Sequence, residues 1–261
     1  MRYLRLLEVK LRVSLTLGMQ YRWEFLIDGL ITLLWTSIGL VPFHVAFSER
    51  PAIEGWSYER ALVVVGCFTL LKGILDGAVN PSLLAVVEQI RQGTLDFVLL
   101  KPADAQFLVS TAKFEVWKAI DAAAALGIFV WAFSLLGRGP HVGDVALAAA
   151  LIAAATVVLY SLWILVVSAA FWVVRLDNLA YLFNSLFDFA RWPVSVFKGA
   201  WRVLFTVVFP IALMTTYPAE ALLGSLAATT AAAAVAGAAA FALLARVVWI
   251  RAIGHYTSAS S

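Results

Sequence analysis

The sequence predicts an all-α polytopic membrane protein, and three observations carry that expectation. Hydrophobic residues make up 63% of the chain and charged residues 13%, where soluble domains sit nearer half and a quarter. Mean hydropathy is +0.92. The apolar residues are gathered into runs near the ~20 residues a helix needs to cross a bilayer. Between the runs lie stretches rich in Gly, Pro and charge.

The elements follow in order. Residues 1–22 are too charged to cross. Arg2, Arg5, Lys10, Arg12 and Arg22 alternate with Leu4, Leu7, Leu11 and Leu15, as in an amphipathic helix lying in the membrane interface. A first span covers about 24–47, with Trp35 and Pro42 inside it. The polar stretch Ser48 to Ser57 separates it from a second span, 58–79, which ends near Asn80-Pro81. Residues 82–104 interrupt the pattern. A third span covers 105–136, its apolar part beginning near Trp117, and Gly137 to His141 form a tight turn. The fourth span, 145–174, is long enough to tilt or to project from the lipid. In 175–202, Arg175, Asp177, Asp188, Arg191, Lys198 and Arg202 interleave with Phe and Trp. A short fifth span is expected over 200–216 with Pro210 inside it, broken at Thr216 to Glu220, and Ala221 to Gly224 dip back toward the membrane surface. The sixth covers 226–250. Its alanine run, Ala227 to Ala240 with Gly237, suits close helix packing or a dimer face.

The 82–104 interruption is too long and too patterned for a turn. Leu83, Val86, Val87 and Ile90 make an apolar stripe at helical spacing, while Glu88, Gln89, Arg91 and Gln92 face the other way. Gly93 is placed to end the helix in the left-handed conformation. Asp96 lies in a second short apolar stretch, which Lys101-Pro102 stops, because the residue before a proline avoids the helical region. The result is a short rod anchored by one face and presenting polar groups to water.

Orientation follows from the Lys and Arg of the connections. With the N-terminus inside, fifteen lie on the cytoplasmic side and three outside, Lys72 being within a span. This puts both termini and the 82–104 rod in the cytoplasm.

Enzyme chemistry lacks a starting point. There is no phosphate-binding G-x-x-x-x-G-K-[ST], G-x-S-x-G or H-E-x-x-H. The one cysteine, Cys67, sits in an apolar run, and His44, His141 and His255 are far apart. The first residues do not read as a cleavable signal. The chain itself therefore calls for no catalytic residue, cofactor or metal, and nothing in it marks a nucleic-acid partner. Ionisable residues near the spans are costly and point to structure or function. Glu24 and Asp28 are four apart, as are Lys72 and Asp76, and Glu115, Lys118 and Asp121 follow at spacing three. All seven fall in the cytoplasmic third of their helices. Pairing within and between helices, a proton or ion pathway, and a substrate vestibule all fit that placement.

Ile90-Arg91-Gln92-Gly93-x-Leu95-Asp96-x-x-Leu99-x-Lys101-Pro102 resembles the cytoplasmic signature of ABC-2 type ABC transporter permeases, in particular the compact six-span subgroup without a fused ATPase. Weaker matches occur in the expected order: Tyr21-Arg22-x-Glu24-Phe25, Gly55 to Glu59, Arg191-x-Pro193-x-Ser195-x-Phe197, and Tyr217-Pro218-Ala219-Glu220-x-Leu222-Leu223-Gly224. The resemblance implies a multi-pass protein of a bacterial inner membrane with the ABC-2 exporter fold. It implies a dimer with a second permease, identical or paralogous, and two separately encoded ATPase subunits that carry ATP and Mg. Residues 1–22 would be a connecting helix. The 82–104 segment would be the coupling helix, with Glu88, Gln89, Arg91, Gln92, Gly93 and Asp96 touching the ATPase and Lys101 and Pro102 fixing the turn. Tyr217, Pro218 and Glu220 would belong to an extracellular gate. The apolar composition of the expected path, between the protomers near spans one, two and five, suits an amphipathic or lipid-like substrate better than a free ion. An ion-coupled secondary transporter, which would need midplane charges or broken helices in repeated halves, and a non-transporting membrane assembly factor stand as alternatives.

Overall fold

A computed structural model describes residues 2–20, 22–171 and 177–255, apart from the side chains of 2, 20, 22–26 and 177–180. It is helical except for one two-residue hairpin, β1 (Ala52–Ile53) paired antiparallel with β2 (Trp56–Ser57). The helices are α1 (Arg2–Gln20), α2 (Arg22–Glu49), α3 (Tyr58–Ile74), α4 (Asn80–Arg91), α5 (Asp96–Leu99), α6 (Ala105–Ser110), α7 (Ala119–Leu136), α8 (Val142–Ala169), α9 (Asp177–Asp188), α10 (Ala200–Val203), α11 (Tyr217–Leu222) and α12 (Ala228–Ile253). Among the described residues five helices are long and apolar enough to cross a membrane: Ile27–Glu49, Tyr58–Arg91, Val116–Leu136, Val142–Ala169 and Ala228–Ile253. The protein is a multi-pass membrane protein.

Helices α3 and α7 run antiparallel. Gly66 lies against Phe129, Gly73 against Asp121 and Gly77 against Lys118, so the small residues of α3 let the two backbones approach. The start of α3 therefore shares one end of the bundle with the end of α7, where the 50–57 and 137–141 connections lie; we call it the loop end. The opposite end, the base, holds residues 91–118. There α1 lies along the chain: Tyr3 Oη accepts from the Asp104 N–H at 3.3 Å, Lys10 Nζ donates to Leu108 O at 2.9 Å, and Ser14 Oγ accepts from the Phe114 N–H at 3.3 Å.

Three elements differ from the sequence expectation. The second span does not stop at Asn80-Pro81. A π-helical turn, Leu75–Val79, joins α3 to α4 in one 34-residue run. Pro81 is tolerated inside this run because the π-helical turn precedes it and the Gly77 carbonyl, four residues back, accepts instead from the Glu115 N–H at 2.8 Å. The third span is divided: α6 and an extended stretch precede Val116, and only Val116–Leu136 crosses. Asp104, whose Oδ1 accepts from the Phe107 N–H, caps α6 instead.

The third difference concerns 177–222. Ring contacts follow the chain from α9 steadily toward the loop end: Phe183 on Trp163 at 4.9 Å, Phe187 on Phe68 at 5.2 Å, Trp192 on Phe43 at 3.9 Å. The series ends with Lys198 Nζ 2.8 Å from Glu54 in the β1–β2 turn. The passage from the base to the loop end is thus made by α9 and the 3-10 turns after it. The following helical pair, Ala200–Val208 and Ala212–Leu222, bends by 67° at Phe209-Pro210. It starts at the loop end beside Glu54 and finishes there, where Arg138 Nη2 donates to Leu223 O at 3.3 Å. Both ends at one face make it a re-entrant pair. Thr216 to Glu220 is continuous helix, because the π-helical turn Ala212–Thr216 rearranges the backbone bonding just ahead of Pro218.

Inside the spans, buried hydroxyls bond to their own helix: Thr69 to Val65 O at 2.9 Å, Ser161 to Val157 O at 2.6 Å and Ser168 to Ile164 O at 2.7 Å. This satisfies groups that lipid cannot.

Candidate functional site

Polar residues gather in three places, and the base comes first. The 34-residue helix is about 51 Å long at 1.5 Å per residue, roughly 20 Å more than the hydrocarbon core, so α4 projects. Leu83 and Val86 are buried and Val87 and Ile90 pack beside them. Glu88, Arg91 and Gln92 are exposed, and Gln89 is half-buried. Gln92 Nε2 donates to Glu88 Oε1 at 2.6 Å, and Arg91 lies 3.6 Å from the same carboxylate. Gly93 ends the helix at φ 68°. Its N–H donates to Ile90 O at 3.2 Å and that of Thr94 to Gln89 O at 2.9 Å, a complete Schellman motif that favours glycine at this position. Leu95 is fully buried and pins the next turn, Asp96 is half-buried, and Phe97, Leu100, Lys101 and Pro102 are exposed.

This segment is clamped to the bundle by residues that the sequence pattern did not single out. Arg246 on α12 grips Asp104 with two bonds, 2.6 and 3.2 Å, and donates to Gln106 Oε1 at 2.8 Å. Gln106 Nε2 donates to Tyr160 Oη on α8 at 2.9 Å, and Ser110 Oγ lies 2.8 Å from the same hydroxyl. The guanidinium holds the Asp104 carboxyl below its ordinary range. Lys10, partly buried and near Lys101, is pushed down from the ordinary lysine value. The clamp spans 142 residues and leaves no local signal.

A cavity of about 720 Å³ lies above the base, between α2, α3, α7 and the turn after α9. Five of the seven ionisable residues singled out near the spans line it: Asp28, Lys72, Asp76, Lys118 and Asp121. Lys72 is 3.4 Å from Asp76; Lys118 is 4.0 Å from Asp76 and 3.6 Å from Asp121. Asn80 Nδ2 donates to Asp76 Oδ1 at 2.8 Å. Glu115 stays outside the cavity lining. It precedes α7, pairs with Lys113 at 2.5 Å and gives its N–H to Gly77 O in the π-helical turn at 2.8 Å. The Glu24 side chain lies outside the described residues. Asp188 and Arg191, paired at 3.2 Å, close the far end of the cavity. Trp35, Phe68 and Trp117 stand in the walls.

At the loop end, Pro218 is buried in α11, and Tyr217 and Glu220 are half-buried. The re-entrant pair is fastened inward. Thr215 Oγ1 donates to Ala190 O at 2.6 Å, and Thr216 Oγ1 accepts from the Val194 N–H at 3.1 Å. At the same end, the hydrogen bond from Lys198 holds the Glu54 carboxyl below its ordinary range. Among the described residues no group of three or more His, Cys, Asp and Glu could hold a metal ion.

A family model described as ABC-2 family transporter protein matches residues 33–260. No curated protein and no solved structure matches the chain. A multi-pass helical bundle matched over that length belongs to the ABC-2 family of transporter proteins, whose membrane domains are typically permeases without ATPase activity.

Proposed function

We propose that the chain is the permease subunit of an ATP-driven exporter, forming its path with a second permease, identical or paralogous, and driven by two separate ATPase subunits that hold ATP and Mg. One observation carries the reading. The second span continues without a break into α4, so a displacement of the capped end at Gly93 is delivered rigidly into the bundle. Glu88, Gln89, Arg91, Gln92, Gly93 and Asp96 form the contact with the ATPase, and Lys101 and Pro102 set the turn that follows. ATP favours one of two global states by its different contacts with each.

The base faces the cytoplasm in this reading, with α1 as the connecting helix against it. Lys and Arg support that orientation after the outward passage of α9 is taken into account. Arg2, Arg5, Lys10, Arg12, Arg22, Arg91, Lys101, Lys113, Lys118, Arg246 and Arg251 lie toward the base, and Arg50, Arg60, Arg138, Lys198 and Arg202 toward the loop end, an excess of the sign the positive-inside rule requires. The membrane is a bacterial inner membrane. The re-entrant pair, with Tyr217, Pro218 and Glu220, forms the external gate.

Two experiments test this. Arg91→Ala and Asp96→Ala should insert normally yet lose most co-purification with a neighbouring ATPase, or leave its hydrolysis without transport. Normal binding and normal transport in both variants would remove the coupling assignment. In a Cys67→Ser background, single cysteines at Glu54 and Lys198 should react with an impermeant maleimide from outside and one at Gln92 only from the cytoplasm. Labelling of Gln92→Cys from outside inverts the orientation and ends the proposal.

A further inference from the structure

The geometry points to the cavity between α2, α3 and α7 as a binding site for an amphipathic organic cation, with Asp28 as its counter-charge. At about 720 Å³ the space falls in the range of small-molecule pockets. Its walls carry three aromatic side chains, Trp35, Phe68 and Trp117, whose faces attract cations. Phe68 already holds a cation there, with Arg191 Cζ 5.1 Å from its centroid.

Charge decides the sign of the ligand. The three basic residues of the lining each sit beside an acid: Lys72 by Asp76, Lys118 by Asp121, Arg191 by Asp188. Asp28 is the fourth carboxylate on the lining, and among the described residues it makes no ion pair or hydrogen bond. The lining therefore carries one negative charge in excess. A second observation points the same way. Asp121, its side chain only 7% exposed, meets Lys118 through Oδ2 at 3.6 Å and receives no shorter hydrogen bond there, so the deepest acid is held by a loose ion pair while the basic groups are already neutralised. An anion would have to displace an existing pair to find a partner; a cation would not.

That the bound cation is cargo rests on the exporter reading; that it binds rests on the cavity alone. Tetraphenylphosphonium and tetraphenylborate have nearly the same shape and opposite charge, and their binding to the purified full chain in neutral detergent measures the preference directly. Tetraphenylphosphonium should bind at least about tenfold more tightly. Asp28→Asn should weaken it by about tenfold, and Asp28→Glu should retain most of the affinity. Equal affinity for the two probes overturns the inference, as does an Asp28→Asn affinity within about twofold of the parent. If Asp28→Asn does not fold, the two-probe comparison and Asp28→Glu decide the matter. No nucleotide is involved, so the two readings fail separately. Cation binding without ATP-driven transport removes the exporter and leaves the site, and transport with no charge preference does the reverse.

Discussion

Two clusters in the base half of the bundle are built from the same kinds of side chain and differ in closure. The clamp of Arg246, Asp104, Gln106, Tyr160 and Ser110 is closed, with contacts of 2.6 to 3.2 Å that use the guanidinium in a forked, directional way. The cavity cluster of Lys72, Asp76, Lys118 and Asp121 is open, with ion pairs of 3.4 to 4.0 Å and point-like ammonium groups. Arginine forks match carboxylates in two bonds, whereas lysine offers a mobile charge. The comparison teaches that charge complement alone does not assign a role. The closed set fastens three parts of the chain together, and the open set leaves capacity for something else to bind.

The clamp should give the largest effect. Arg246→Ala removes several charge-assisted bonds at a half-exposed site and should cost about 1–2 kcal/mol of stability, seen as a fall of a few degrees in Tm in detergent. Arg246→Lys should recover part of this, since it restores the charge without the fork. A clamp that is merely decorative would show no shift in either variant.

The pH dependence sharpens the same point. The folded Asp104 carboxyl lies below its ordinary value because Arg246 bonds its charged form. Its contribution is therefore complete above the unfolded carboxylate pKa and is lost as pH falls through the lower folded value. The Tm gap between the parent and Asp104→Asn should be constant near neutrality and close only in acid, below about pH 4. A gap that closes between pH 6 and 8 would assign the effect to another group.

The smallest effect belongs to the open cluster. Lys72→Met should change stability by less than about 1 kcal/mol, because Asp76 keeps Asn80 at 2.8 Å and Lys118 at 4.0 Å. If Lys72→Met costs as much as Arg246→Ala, the contrast between closed and open clusters is broken.

Much of the architecture was legible in the chain. The apolar runs announce the long helices, and the apolar stripe from Leu83 to Ile90 announces the rod. Gly93 announces its end, since few other residues tolerate a φ of 68°. The grouping of Asp28, Lys72, Asp76, Lys118 and Asp121 was half legible, because each lies at a comparable depth in its own helix. What failed to show was the passage to the loop end by α9 and the turns after it. It is completed by 3-10 turns and extended chain around Trp192 and Pro193, which carry no helical periodicity. The more apolar 200–216 run drew the crossing to itself, although its Phe209-Pro210 break turns it back. The Asp104–Arg246 clamp was also invisible, being a pair of ordinary polar residues at opposite ends of the sequence.

The sequence by itself determined the solvent this protein lives in, the presence of its long apolar helices and the capped end of its rod. These depend on hydrophobicity and turn chemistry, which act over one or two helical turns. Only the tertiary structure decided which hydrophobic stretch crosses and which re-enters, which acids find a base, and where a cavity is left. Those outcomes depend on helix packing, set by small residues such as Gly73 against Asp121, and on which side chains that packing brings within bonding distance.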